Sequence, residues 1–201
     1  ANLKAVQTTI PLFRCPSAPI PERQSAAGFA DRVPCTYLAC SSGTNILDAE
    51  PETYASLRTF VNDGLFYDKS SVSFRGISDG LTSTVAIGEA QFDPSITQIS
   101  HVVDHWYIGS LDLEASSSSP GILPEYSEFL GSTAARINIM NEPLSASTIG
   151  EKELSYGSYH GAGGCNVLMA DGAVKFISET IDRATFSALG TRSAEEIVGD
   201  F

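Results

Sequence analysis

Short apolar blocks bounded by turn residues set the pattern of this chain. The clearest pair is residues 166–170 and 173–177, two apolar blocks of equal length flanking Asp171-Gly172. Such blocks around an Asp-Gly pair predict a hairpin with a type I′ turn, whose two central residues take positive φ. Residues 36–40 predict a strand closed by Ser41-Ser42-Gly43, and residues 84–87 another after the turn Ser78-Asp79-Gly80. The alternation of Val72 and Phe74, the segment 101–108 with the only tryptophan, Trp106, and residues 136–140 also read as strands. Helical spacing is rarer. Leu3, Val6 and Ile10, stopped by Pro11, read as the tail of a helix that starts upstream. Asp48 is placed to cap a helix through Pro51, Tyr54, Leu57 and Phe60 to about Gly64. Another is expected from Asp182 through Phe186 and Leu189 to Gly190, and Ser193 with Glu196 has capping-box spacing for a last turn. Residues 114–132 contain four consecutive serines, Pro120-Gly121 and Pro124, and read as a surface excursion.

Composition narrows the class. A chain of 201 residues suits one domain, residues 1–201, large enough to fold without a metal or disulfide. With 42% hydrophobic and 18% charged residues it is not a disordered chain. Its 17 glycines and 10 prolines point to a turn-rich α+β domain. The net charge of -12 repels nucleic acid and anionic membrane surfaces and favours cations. No run of about 18 apolar residues is present to span a bilayer. Cys15, Cys35, Cys40 and Cys165 form no CxxC pair beside only three histidines, so a zinc cluster is not expected. Any disulfide is expected to join Cys15 to Cys35 or Cys40 across the shorter loops, leaving Cys165 free.

Candidate chemistry centres on His160. A hydrolase reading pairs Ser158 with His160 and recruits Asp171, but Tyr156 and His160 stand where a nucleophile elbow needs glycines. The plainer reading is an imidazole that ties a Gly-rich loop to neighbouring backbone. Asp79, Glu89 and Asp171 are candidate calcium ligands, although two of them belong to Asp-Gly pairs that commonly only shape turns. Gly161, Gly163 and Gly164 precede a strand, not a helix, which is the wrong order for a phosphate loop. His101, Asp104 and His105 offer too few ligands on one face for a metal.

Four motifs, in order, resemble the family known as domain of unknown function 1559. Phe13-Arg14-Cys15-Pro16-Ser17 is similar to its FxCPS segment, and the stretch from Tyr37 to Gly43 to the segment that follows. Ile77 to Thr84, with Asp79-Gly80 inside, then Gly88-Glu89, resembles its central motif. Ser158-Tyr159-His160, Gly163-Gly164-Cys165-Asn166 and Ala170 to Ile177 resemble its C-terminal His-x9-Asp-Gly signature, here with ten residues between His160 and Asp171. Leu189-Gly190-Thr191-Arg192 before Glu196 is similar to its ending. The resemblance implies a planctomycete, pilin-like protein with a prepilin-type leader and a hydrophobic N-terminal helix preceding this head. It implies membrane anchoring before assembly, other pilin-like subunits as partners, and a periplasmic or extracellular face of the cell envelope, as in type II secretion or pilus assemblies. It supplies no reaction. The expectation is therefore a non-enzymatic structural head: an N-terminal helix end on an antiparallel sheet with a C-terminal hairpin and short helix, without a cofactor unless calcium binds. Cys15, Pro16, Ser17, Asp79, Gly80, Glu89, His160, Gly163, Gly164, Asn166, Asp171 and Gly172 are expected to hold the fold. A secreted solute- or carbohydrate-binding module, using Trp106 and Tyr107, is the alternative, and a hydrolase centred on His160 a second.

Overall fold

The computed structural model describes residues 3–26, 29–45, 62–67, 70–92, 105–106, 129–143, 149–196, 198–199 and 201. Within them lie α1 (Leu3–Val6), β1 (Gln24–Ala26), β2 (Phe29–Arg32), β3 (Tyr37–Ser42), β4 (Val85–Glu89), β5 (Leu130–Ser132), α2 (Ile149–Leu154), β6 (Gly164–Met169), β7 (Val174–Ser178) and α3 (Arg183–Ala188). The fold is α+β. β1 and β2 form a small hairpin, and the other strands form one sheet in the order β5-β3-β4-β6-β7. Contrary to the expected antiparallel sheet, β3 and β5 pair parallel. β4 runs back antiparallel to β3, so a strand starting from the end of the sheet where β4 finishes lies parallel to β3.

Strand alternation builds the core. Cys165, Val167 and Met169 point to one side of β6, where they meet Leu38, Cys40, Val85, Ile177, Tyr156, Phe186 and Leu189. Each large apolar side chain buried there contributes about 1.5–3 kcal/mol. The helix expected from about Asp182 forms as α3, and Asp182 caps it, its carboxylate accepting the Thr185 N–H at 2.9 Å. The helix then sets Phe186 against the Tyr156 ring, edge to face. Tyr156 in turn lies over Gly88 and Gly131, where a Cβ would run into its ring.

The predicted β6–β7 hairpin forms, with a different turn. Met169 N–H donates to Ala173 O (2.8 Å) and Gly172 N–H to Met169 O (3.0 Å), so the loop is Ala170-Asp171-Gly172. Only Gly172 among them has positive φ, +89°. The central pair is therefore Ala170-Asp171, a type I turn followed by a glycine bulge, which matches strand twist as a type I′ turn does. Asp171 works through its side chain, accepting the Ala173 N–H at 2.8 Å. Gly172→Val forces a β-branched residue to positive φ and should cost about 1 kcal/mol or more, read as a lower urea midpoint at unchanged slope.

Other expectations shift. Leu130–Ser132, inside the expected excursion, is a buried strand whose Ser132 hydroxyl donates to Ser42 O. Residues 136–140 are no strand: Asn138 adopts the left-handed conformation and a 3-10 turn, Ile139–Asn141, follows. Val72 and Phe74 likewise lead into a 3-10 turn, Phe74–Gly76. Ser193 starts no helix, because Glu195 takes φ 61° and its N–H donates to Asp79 Oδ1 instead. Residues 62–64, the expected end of the helix over 48–64, are not helical. The rest of that helix and the excursion up to residue 128 lie outside the described residues, as does segment 101–108 apart from His105 and Trp106. Both of these are 1% exposed. Trp106 is sandwiched with Arg32 4.2 Å over its ring and Phe92 edge-on, so it offers no face to a sugar.

His105 gives the fold a pH dependence. Its Nε2 faces Glu153 O at 3.2 Å while Nδ1 has no partner, and burial pulls its pKa down to about 4. The unfolded chain, titrating near 6.5, takes up the proton first, so this stability is complete above that pH and is lost as pH falls toward 4. Between pH 7 and 5 the loss should be about 2 kcal/mol. Urea unfolding at the two pH values should show it, and the difference should vanish in His105→Gln.

Candidate functional site

Three motifs far apart in sequence meet at one end of the sheet. The first is the loop carrying Cys15, Pro16 and Ser17, which Arg14 holds from below. The Arg14 guanidinium donates to Pro21 O (2.9 Å), Pro34 O (3.2 Å) and Glu22 O (3.3 Å). Two bonds then join this loop to the start of β3: Cys15 N–H to Thr36 Oγ1 at 2.7 Å, and Thr36 N–H to Phe13 O at 3.0 Å. The second is Glu89, the last residue of β4, 4% exposed. The third is His160 with Asn166, from the turn before β6 and from the strand itself.

Glu89 is the hub. Its Oε2 accepts both the backbone N–H (2.7 Å) and the side-chain N–H (3.1 Å) of Asn166, and Oε1 lies 3.1 Å from His160 Nε2. The imidazole, about a third exposed, has Cys15 Sγ 3.8 Å from the same Nε2 and Ser17 Oγ 3.5 Å from Nδ1. Sγ and Ser17 Oγ are 3.2 Å apart. Sγ, Nε2 and a Glu89 oxygen all lie within 4.8 Å of one another. Nearby groups register this charge: burial first, then Cys15 and Glu89, raise the Tyr37 hydroxyl above its usual range. Burial and Glu89 push the Cys165 thiol up to about 12.

The Gly-rich approach fixes the His160 loop. Ser158 Oγ donates to Gly164 O at 2.6 Å and accepts the His160 N–H at 3.2 Å. Its hydroxyl is spent on backbone. Gly163, at φ +69°, passes its carbonyl to Glu179 N–H at 2.9 Å. Glu179 takes the Asn138 amide at 2.6 Å, and Asn138 Oδ1 accepts the Ser158 N–H at 2.9 Å.

The other motif residues sit elsewhere. Asp79 accepts the N–H of Ala194 (2.9 Å) and of Glu195 (2.7 Å) and the Thr191 hydroxyl (3.1 Å), tying the central motif to the chain's ending. Gly80 beside it has φ +99°. Asp171 stands in the β6–β7 turn. Val85 pairs with Met169, at the opposite end of β4 from Glu89, four residues or about 13 Å away. The suggested calcium trio of Asp79, Glu89 and Asp171 therefore does not converge, and the Ser158–His160–Asp171 triad has no common site.

No disulfide joins Cys15 to Cys35 or Cys40; Cys15, Cys40 and Cys165 carry thiols. Cys40 is sequestered in the core, where burial raises its pKa to about 11, and the Cys15 sulfur faces His160 instead. Spacing along the sequence gave no sign of a Cys–His–Glu cluster, because its members stand at positions 15, 89 and 160. Only strand pairing brings them together. Among the described residues no helix is long and apolar enough to cross a membrane. A family model described as "Protein of unknown function (DUF1559)" matches residues 1–184. No curated protein and no solved structure matches the chain.

Proposed function

The chain belongs to the DUF1559 family, and from that premise we propose that it is a non-enzymatic, pilin-like head whose motif residues form a clasp between its N-terminal segment and its sheet. The carrying observation is that every polar group at the site is engaged in a tie. Glu89 joins β4 to Asn166 on β6 and to His160. His160 faces the Cys15–Ser17 loop, which leads back to α1. Val6 of that helix is buried, and its carbonyl accepts the Val33 N–H at 2.9 Å. A load arriving through a hydrophobic helix ahead of α1 would pass into this clasp and from there into the middle of the sheet. That is the demand on a head domain anchored in the cell envelope, packed with like subunits on the extracytoplasmic face.

The arrangement is not that of a nucleophile relay. Ser158 is committed to backbone, and Cys15 and Glu89 share one imidazole nitrogen, whereas a catalytic relay places nucleophile and orienting carboxylate on different nitrogens. His160→Gln should lower the melting temperature by about 2–4 °C, the equivalent of about 1 kcal/mol for a pair whose imidazole is about a third exposed, in a chain of this size. The same variant and its parent should show no hydrolysis of ester, peptide and glycoside panels. Hydrolysis by the parent that the folded Gln variant loses would refute the reading.

A further inference from the structure

We propose that Cys15 Sγ, Glu89 Oε1 and His160 Nε2 form a three-ligand zinc site with a fourth position open to water. The inference goes beyond the clasp, which stands on the hydrogen bonds of Glu89 to His160 and Asn166 and of the Cys15 N–H to Thr36.

The decisive feature is which imidazole nitrogen is used. A neutral imidazole offers one lone pair on one nitrogen and one proton on the other. A hydrogen-bonded chain through His160 would place the thiol and the carboxylate on opposite nitrogens. Both instead lie on Nε2, at 3.8 and 3.1 Å. One nitrogen cannot serve both partners well as a hydrogen-bonding group, but it can share a metal ion with them. Zinc bonds sulfur at about 2.3 Å and nitrogen or oxygen at about 2.0–2.2 Å, so the ligand–ligand edges of its tetrahedron run about 3.3–3.6 Å. The two separations bracket that range.

The donor set fits zinc in type and in charge. Thiolate, imidazole and carboxylate are its ordinary ligands, and the thiolate and carboxylate together cancel the ion's double charge. The Cys15 thiol gives its proton to solvent when the S–Zn bond forms. Hard cations such as calcium would require six to eight oxygens, which this corner does not supply.

Outer partners are also in place. Both Asn166 donors hold Glu89 Oε2, which leaves Oε1 for the ion. Ser17 Oγ, 3.5 Å from Nδ1, is placed to receive that nitrogen's proton and hold Nε2 as the ligand. Cys15 and His160 are partly exposed, so an ion can enter from solvent, and the net charge of -12 draws cations in.

The test uses the purified 201-residue chain, stripped with a chelator and dialysed against micromolar zinc, with cobalt(II) as an optical probe. The expected result is one zinc per chain and a sulfur-to-cobalt charge-transfer band with tetrahedral cobalt absorption. Cys15→Ser should lose the band and weaken zinc binding by more than about 100-fold, since even outer-partner changes cost about 10–100-fold. Asn166→Ala should fall in that lower range. Zinc failing to stay with the folded chain, or staying equally well with Cys15→Ser, overturns the assignment. Cys15 is partly exposed, so that variant keeps the test sound if a Glu89 variant fails to fold. The clasp is measured on chelated protein, so loss of the zinc proposal leaves its own tests unchanged.

Discussion

Glu89→Ala should cost about 3–5 kcal/mol, a large loss for a single polar side chain. The carboxylate is buried and accepts two N–H groups of Asn166 while facing His160. Truncation leaves a backbone N–H of β6 and a side-chain amide without acceptors. Each unpaired group costs about 1–3 kcal/mol, and two are left at Asn166 in addition to the lost contact with His160. Against a total stability of about 5–15 kcal/mol for an ordinary domain, the variant would be close to its threshold at 37 °C. Glu89→Gln keeps one oxygen acceptor and the side-chain volume, so it should lose roughly half as much. Urea unfolding at pH 7 reads both, and a loss below about 1 kcal/mol for Glu89→Ala would remove Glu89 as the hub.

Gly164→Ala should be nearly as damaging, for a steric reason. Gly164 opens β6 opposite Ser178, with Cys165 and Ile177 paired next to it. A Cβ at this position would enter the van der Waals shell of the Ile177 carbonyl and meet the Phe176 ring at 2.7 Å. The obstacle is backbone held in a ladder, so it cannot swing aside as a side chain end can. Overpacking costs about 1–3 kcal/mol when neighbours relax and more when they do not, so a loss of about 3 kcal/mol is expected. Gly161→Ala, three residues earlier, meets nothing within 4 Å and should be neutral or slightly stabilising. Equal losses in the two variants would show that glycine is needed here for flexibility instead of closeness.

Local chemistry was legible in the sequence, and long-range placement was not. α3 was legible because its apolar positions Phe186 and Leu189 and its stop at Gly190 are local, and the β6–β7 hairpin was visible in two apolar blocks of equal length around Asp171-Gly172. Its turn was misread because Asp-Gly serves both the type I′ turn and the glycine bulge, and the choice depends on whether Ala170 joins the loop. Residues 136–140 carry strand residues, yet Asn138 turns left-handed to serve Glu179 and Ser158, a tertiary demand that overrides propensity. Leu130–Ser132 is short, and its burial comes from pairing with β3. The motif residues were legible in the sequence as single positions. Their grouping was not, since Asp79 and Asp171 look like partners of Glu89 on paper while β4 holds them at its other end. Cys15 joined the site only through the fold.

The central claim is that His160 and Glu89 fasten the N-terminal loop to the sheet, and native-state hydrogen exchange of His160→Gln tests it most directly. The Cys15 amide is held by Thr36 Oγ1 and the Thr36 amide by Phe13 O, while Val167 lies in the middle of the sheet. Loosening the clasp should speed exchange at Cys15 and Thr36 by about tenfold and leave Val167 unchanged, because local openings draw on local ties. Equal acceleration at all three sites, or none at Cys15 and Thr36, would contradict it.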